Sequence, residues 1–385
     1  MTINGVPFFR PQIGEDEISE VVDSLRNGWL TTGAKSARFE NEFATLMGDT
    51  CEAIAVNSAT AAMHLALEAL NIGPGDEVIV PTYTFTATAE VIRYLGATPI
   101  FVDCDLDSFN MRPSDFQGAI TAQTKAVMPV HFAGLPCNMT EICRIAEKNE
   151  IRVVDDAAHA LPSRHDGQII GNCGADATAF SFYANKTMTT GEGGMLVTRD
   201  PEIAARARQM RLHGINRDVF NRFTDAKASW RYDIVAPGFK YNLTDIAASI
   251  GLHQLPKLDR FREQRTVLCR RYDELLTDLP LVLPASAQSG DQHSRHLYIV
   301  RVTEDAPIDR DALIVQLQTR NIGVSVHYTP LHQMTYWQES CGSQTGAFPN
   351  SDAIGASCIS LPLFPSMSEE EQDYVVDAIR QVLAA

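Results

Sequence analysis

One lysine, Lys186, lies in the stretch SFYANKTMTTGEGG (residues 181–194), between a strand-like Ser-Phe-Tyr and a turn that spends three glycines in four residues. Taken alone, that segment also fits a plain surface lysine. Thirty residues upstream, IRVVDDAAHA (151–160) ends an apolar run in Asp155, Asp156 and His159. A carboxylate at the carboxyl end of a buried strand sits where open α/β sheets hold ligands, and it is costly to bury unless it meets a cation. An amine that can be neutral and a carboxylate that needs a cation suit the two ends of pyridoxal phosphate. The aldehyde takes a desolvated lysine, and the ring nitrogen needs an acid to stay protonated as an electron sink. Lys186 and Asp156 fit these two roles.

The phosphate of such a cofactor requires backbone N–H groups at a helix start together with hydroxyls. The segment VNSATAAMHLAL supplies them: Asn57, Ser58 and Thr60 stand where a strand meets an alanine-rich helix, so Ala59 and Thr60 present N–H groups. A simple N-cap by Ser58 or Thr60 is the competing reading and is compatible with phosphate binding. In PTYTFTATAE, the period of two puts Tyr83 and Phe85 on one face at a strand end, where an aromatic covers the cofactor ring or joins the core.

The elements that must position these groups are legible around them. Seven short apolar runs between about residues 50 and 200, EAIAVNSA, DEVIVP, TPIFVDCD, KAVMPVHF, IRVVDDAA, ATAFSFY and GMLVTRD, read as strands, several apolar on both faces as buried parallel strands require. Helical patterns such as ATAAMHLALEALNIG and NMTEICRIAEKNE alternate with them, which predicts a doubly wound α/β sheet. Residues 244–285 read as a helix broken at Pro256. Beyond it RHLYIVRV, IGVSVHY and CISLPLF read as strands, RDALIVQLQTRN as a helix, and a Ser368–Glu371 capping box opens the last helix. The expected division is a large cofactor-binding domain over 1–250 and a linker helix with a small α+β domain over 251–385.

The 385 residues carry a net charge of −16, and no local Lys/Arg cluster reverses it, so nucleic acid is not an expected partner. The eight cysteines form no C-x-x-C pair, and His64, His131 and His253 have no Cys, Asp or Glu at ligand spacing, so no metal is expected. No basic leader and no long apolar span is present, which makes a cytoplasmic enzyme the expectation. The acidic runs GEDEIS and SEEEQD read as solvated helix starts.

The blocks GWLTTGAK, NSATAAMHLAL, PTYTFTATAE, VVDDAAHA, SFYANKTMTTGEGGM, GFKYNLTDI and VHYTPLH, in this order from about residue 5 to the C-terminus, resemble the DegT–StrS family of sugar-nucleotide aminotransferases. The resemblance implies the aspartate-aminotransferase fold, fold type I of pyridoxal-phosphate enzymes. It matches Lys186 to the family's cofactor-linking lysine, Asp156 to the partner of the pyridine nitrogen, and His159 to the group near the ring hydroxyl. Phe85 matches the aromatic on the ring, and Ala59, Thr60 and Ser181 match the phosphate contacts. Asn242 matches an asparagine given to the neighbouring subunit's phosphate, which implies a homodimer with shared sites. Trp29, Thr31, His327, Tyr328 and His332 would border the sugar nucleotide. Two departures stand out: HALPSRHDG carries Pro162 and Ser163 where many members read His-Ala-x-Gly-Ala, which implies a different loop shape behind the cofactor, and the chain keeps the lysine that the family's dehydratases replace by histidine.

The resemblance implies transfer of an amino group from L-glutamate to a nucleotide-linked keto sugar. The Lys-Thr-x-Thr-Thr-Gly-Glu-Gly-Gly form, with GWLTTG and SLPLFPSM, is most similar to the UDP-4-amino-4-deoxy-L-arabinose aminotransferase group and relatives acting on 4-keto-6-deoxyhexoses, hence carbon 4. A 3-keto sugar, a cyclitol ketone and a non-catalytic cofactor-binding regulator are the alternatives.

Overall fold

The computed structural model describes residues 3–48, 50–216, 232–342 and 346–384. Its large sheet is built from β1 (Glu52–Val56), β2 (Glu77–Pro81), β3 (Thr98–Val102), β4 (Thr124–Val127), β5 (Arg152–Asp156), β8 (Ala177–Ser181) and β9 (Gly194–Thr198), with a two-stranded hairpin β6 (Arg164–His165) and β7 (Gln168–Ile169) between the fifth and sixth of these. The seven strands are the seven read from the sequence. Their order is β1-β9-β8-β5-β4-β2-β3. Pairs among β2, β3, β4, β5 and β8 are parallel, while β9 runs antiparallel to both β8 and β1.

The period of two divides each strand between two cores. Ala53, Ala55, Ile79, Val127, Val153, Phe180 and Val197 face one cluster with Phe39, Phe43 and Ile142, whereas Ile54, Val56, Val78, Val80, Val154, Ala179 and Leu196 face the other with Leu65, Val91 and Ala204. Those partners come from α2 (Ala34–Met47), α3 (Ala59–Ala69), α4 (Ala87–Tyr94), α6 (Met139–Lys148) and α7 (Pro201–Met210), and the remaining helices of this half are α1 (Glu15–Asn27) and α5 (Pro113–Gly118). Helices on both faces are what a sheet of mostly parallel strands needs to bury its apolar surfaces.

α8 (Asp245–Gln254) crosses the expected division at 250/251 and passes through a single 3₁₀ turn at Leu255–Lys257 into α9 (Leu258–Leu276), the break read at Pro256. A three-stranded antiparallel sheet, β10 (Leu281–Val282), β11 (Tyr298–Val302) and β12 (Cys358–Leu361), packs with α9, α10 (Arg310–Gln318) and α13 (Glu369–Leu383). The capping box is present: Glu371 N–H donates to Ser368 Oγ at 3.1 Å and Ser368 N–H to Glu371 Oε2 at 2.9 Å. Val6 joins this smaller core through a bridge to Ile322, so the N-terminal segment serves the C-terminal half. Conversely α11 (Thr335–Cys341) and the start of α12 (Pro349–Ser357) send Trp337 and Phe348 into a core of the large sheet.

Three sequence expectations fail here. IGVSVHY forms no ladder, only isolated bridges at Ile322 and Ser325, because its neighbour across is the N-terminal segment and a single residue of β12. Tyr83 and Phe85 lie beyond the end of β2 and diverge: Tyr83 is fully buried and its hydroxyl donates to the His327 carbonyl at 2.7 Å, while Phe85 is 55% exposed. Glu17, in the GEDEIS run, is buried rather than solvated, accepting from Lys257 Nζ at 2.6 Å and Gln254 Nε2 at 2.7 Å. The eight cysteines are free. No described helix is long and apolar enough to cross a membrane.

Candidate active site

At the carboxyl ends of β1, β2, β5 and β8, where an open α/β sheet gathers ligands, the loops enclose a cleft of about 350 Å³. Asp156, the last residue of β5, faces it with little exposure. Its Oδ2 accepts from Thr88 Oγ1 at 2.7 Å and its Oδ1 from the Ala158 N–H at 3.1 Å. Burial pushes this carboxyl up from its usual value, opposed by Thr88, Ala158, Lys186 and His131. A cation placed beside it reverses that penalty.

Lys186 enters the same cleft from the loop between β8 and β9, and among the described residues nothing hydrogen-bonds its Nζ. Desolvation lowers its pKa to about 8, with Asp156 acting in the other direction. The threonines after it hold the loop: Thr189 Oγ1 donates to the Phe182 carbonyl at 3.1 Å and Thr190 Oγ1 to the Glu192 carbonyl at 2.7 Å. The glycines then become intelligible. Gly191 adopts φ +81°, and a Cβ on Gly194 would meet Ser58 C at 2.5 Å and Ala59 N at 2.7 Å, so only glycine lets β9 start against the first turn of α3.

That first turn is the cradle. Ser58 is the N-cap, accepting from the Ala61 N–H at 3.1 Å. The N–H groups of Ala59 and Thr60 have no partner among the described residues, and both residues line the cleft with Ser181. A helix start with two free N–H groups and a hydroxyl nearby suits a phosphate. Amine, buried acid and phosphate cradle in one cleft fit pyridoxal phosphate, and Phe85 and His159 flank the space.

His159 Nδ1 accepts from the Ala133 N–H at 3.2 Å, which leaves the proton of the neutral ring on Nε2, 3.2 Å from the Tyr328 hydroxyl oxygen. Burial, Lys186 and His327 hold this imidazole well below its ordinary pKa. His327 also lines the cleft, with Nδ1 2.8 Å from Ser360 Oγ, and burial lowers it to about 4. Thus Lys186, Ala59, Thr60, Phe85, Asp156, His159, Ser181, His327 and Tyr328 come together.

The remaining four do not line the cleft. His332 is buried with Nδ1 2.9 Å from Thr82 Oγ1 and Nε2 2.8 Å from Asp352 Oδ1, outside the lining of the cleft. Trp29, Thr31 and Asn242 instead form a second group. Asn242 Nδ2 donates to Thr32 Oγ1 at 2.6 Å, Trp29 Nε1 to the Thr32 carbonyl at 3.2 Å, and the Asp245 N–H to the Thr31 carbonyl at 3.0 Å. Asp245 binds this group together: its carboxylate accepts from the N–H groups of Gly33 (2.8 Å), Lys35 (3.1 Å) and Ser36 (2.9 Å), capping α2. The sequence reading missed Asp245, and missed Asn185, Tyr183 and Glu192 in the cleft wall. Ser163 proves to be a buried tie, donating to the Gly134 carbonyl at 2.6 Å and accepting from the Ser294 N–H at 3.1 Å. His131, which has no Cys, Asp or Glu at ligand spacing in the sequence, lies buried in the folded chain with Nε2 3.5 Å from Asp155 Oδ2.

Fold and site together define a fold-type-I aminotransferase dependent on pyridoxal phosphate. Comparison with known proteins agrees: the chain belongs to the DegT/DnrJ/EryC1/StrS aminotransferase family, whose profile matches residues 11–380, and it is a sugar aminotransferase. It is 42% identical over 380 residues to the spore coat polysaccharide biosynthesis protein SpsC of Bacillus subtilis, covering 98% of this chain and 97% of SpsC. Among solved structures, Spr1654 of Streptococcus pneumoniae, described as a sugar aminotransferase and solved in PMP and PLP forms, superposes in its PMP form with a TM-score of 0.92 at 37% identity over 99% of both chains. DesV of S. venezuelae gives 0.87 at 31% identity over 98% of both.

Proposed function

We propose that this sugar aminotransferase takes its amino group from L-glutamate and delivers it to carbon 4 of a nucleotide-linked 4-keto sugar, as a homodimer with shared active sites. The observation that carries the reading is the single cleft in which Lys186, Asp156 and the free N–H groups of Ala59 and Thr60 converge. The Lys-Thr-x-Thr-Thr-Gly-Glu-Gly-Gly form of the lysine loop supports carbon 4. Likeness to a polysaccharide biosynthesis protein supports an amino-sugar product. The large domain over 1–250 carries the cofactor and residues 251–385 close one side of the cleft through His327 and Tyr328.

When bound, the cofactor supplies an electron sink that stabilises carbanion character at the reacting carbon. The chain supplies the rest. The Ala59 and Thr60 N–H groups and the Ser181 hydroxyl hold the phosphate, Asp156 keeps the ring nitrogen protonated, and Phe85 covers a ring face. Lys186 Nζ, brought near neutrality by desolvation, takes the α-proton of glutamate and in the second half-reaction returns one to the sugar carbon, a role worth about 10²–10⁴-fold. His159, kept neutral, donates from Nε2 to the Tyr328 hydroxyl and so fixes that tyrosine against the cleft. Trp29, Thr31 and Asn242, which lie off the cleft of their own subunit, serve the neighbouring one in this reading.

Product analysis by NMR with a panel of 3-keto and 4-keto sugar nucleotides and glutamate tests this reading. Amination at carbon 4 is expected; exclusive amination at carbon 3 would refute it.

A further inference from the structure

Next to Lys186 the described residues form a further and much smaller pocket of about 10 Å³, room for about one water molecule. Its wall is made by the N-terminal segment 9–12, by Asn185, Lys186 and Thr187, and by Arg265 of α9. Three of these side chains end in buried polar atoms that find no hydrogen-bonding partner among the described residues: Gln12 Oε1, Asn185 Oδ1 and Arg265 Nε. Orphaned buried polar atoms are costly to leave unpaired, so three around one pocket call for a common partner.

Their chemistry specifies that partner. Two are acceptors and one is a donor, which is the complement of a water molecule that gives two hydrogens and receives one. A cation is excluded by the guanidinium and an anion by the two carbonyl oxygens, and the volume admits nothing larger than water. Two of the three residues are tied to the fold. Arg265 is buried, with Nη1 donating to the carbonyls of His296 and Leu363, both at 3.1 Å. Gln12 is fixed through its own carbonyl, which accepts from Gln254 Nε2 at 2.8 Å, and Gln254 in turn is tied to Glu17.

We propose that one internal water occupies this cavity, accepts from Arg265 Nε, donates to Gln12 Oε1 and Asn185 Oδ1, and thereby positions the lysine loop. Asn185 precedes Lys186 and lines both the cavity and the cleft, so the bridge joins the N-terminal segment and α9 to the residue that sets the direction of the amine. Gln12 and Arg265 are positioning residues in this scheme; neither touches the reacting atoms.

The test is a high-resolution crystal structure of the holoenzyme and of its Gln12→Leu variant, with the cofactor dissociation constant of each measured by reconstitution of the apoprotein. One ordered water within about 3.2 Å of all three atoms is expected in the wild type, lost in Gln12→Leu, where cofactor binding weakens several-fold. A dry wild-type cavity, or Arg265 Nε bonded directly to Gln12 or Asn185, overturns the site. Loss of the water with unchanged cofactor binding overturns the positioning role. Asn185→Leu gives the same comparison should Gln12→Leu fail to fold. The role, though not the water itself, rests on Lys186 being the cofactor lysine; a Lys186→Ala protein that keeps its visible band would sink that reading while leaving the density unaffected.

Discussion

Lys186 and Asp156 disturb each other's protonation in opposite directions to burial, and that balance is measurable. With a pKa of about 8, the neutral fraction of the Lys186 amine rises about tenfold between pH 7 and pH 9 and then flattens. The rate at which apoprotein captures pyridoxal phosphate should follow that curve in stopped-flow absorbance; a rate that climbs about a hundredfold over the same interval and is still rising near pH 10 would mean an ordinary lysine. The sign for stability follows from the same shift. A lysine whose folded pKa lies below its unfolded value costs stability below about pH 8, and the cost fades as pH rises toward 10.5, so the apoprotein should gain stability across that window. For Asp156→Ala, kcat should fall about 10²–10³-fold, the scale of losing one aimed electrostatic partner. Near-normal turnover in that variant would show that another group holds the ring. These residues were legible in the sequence because each broke a local rule, a carboxylate at the end of an apolar strand and a lysine framed by glycines. The surroundings of His332 were not legible, because its type and motif said nothing of Thr82 and Asp352, which meet its two ring nitrogens.

At the scale of elements, the seven sheet strands were legible because most of their residues are buried, several strands on both faces, and so read as short apolar runs whatever their neighbours. Direction was not: β9 has the same composition as its parallel companions, yet the short loop carrying Lys186 returns it antiparallel to β8. IGVSVHY carries a strand's residue types without a partner long enough to make it one. Contacts between distant segments were equally hidden, above all Asp245, whose carboxylate caps α2 through three N–H groups contributed more than 200 residues away in the chain. Removing a buried carboxylate that serves three donors leaves them unsatisfied, and Asp245→Ala should lower stability by about 1–3 kcal/mol in urea unfolding. Because the same residue ties residues 29–33 to 242–245, its KM for the sugar nucleotide should rise more than kcat falls. An unchanged unfolding midpoint would show that water replaces the carboxylate.

For the whole molecule, the proposed sharing of sites between two copies makes a prediction that no single chain can satisfy. Lys186→Ala and Asn242→Ala should each be impaired as homodimers. If Asn242 acts across the interface, heterodimers contain one site with both residues intact, and mixing the unfolded variants before refolding should restore about a quarter of wild-type activity for statistical pairing of a two-fold dimer. No recovery would place Asn242 in its own subunit's site. Beneath this lies the claim that one amine and one acid hold the same cofactor, and the visible absorption spectrum of purified protein tests it most directly. The wild type should show a cofactor band that glutamate bleaches and a keto sugar nucleotide restores, and Lys186→Ala should lack that band; a Lys186→Ala protein with the wild-type band and normal turnover would contradict the account.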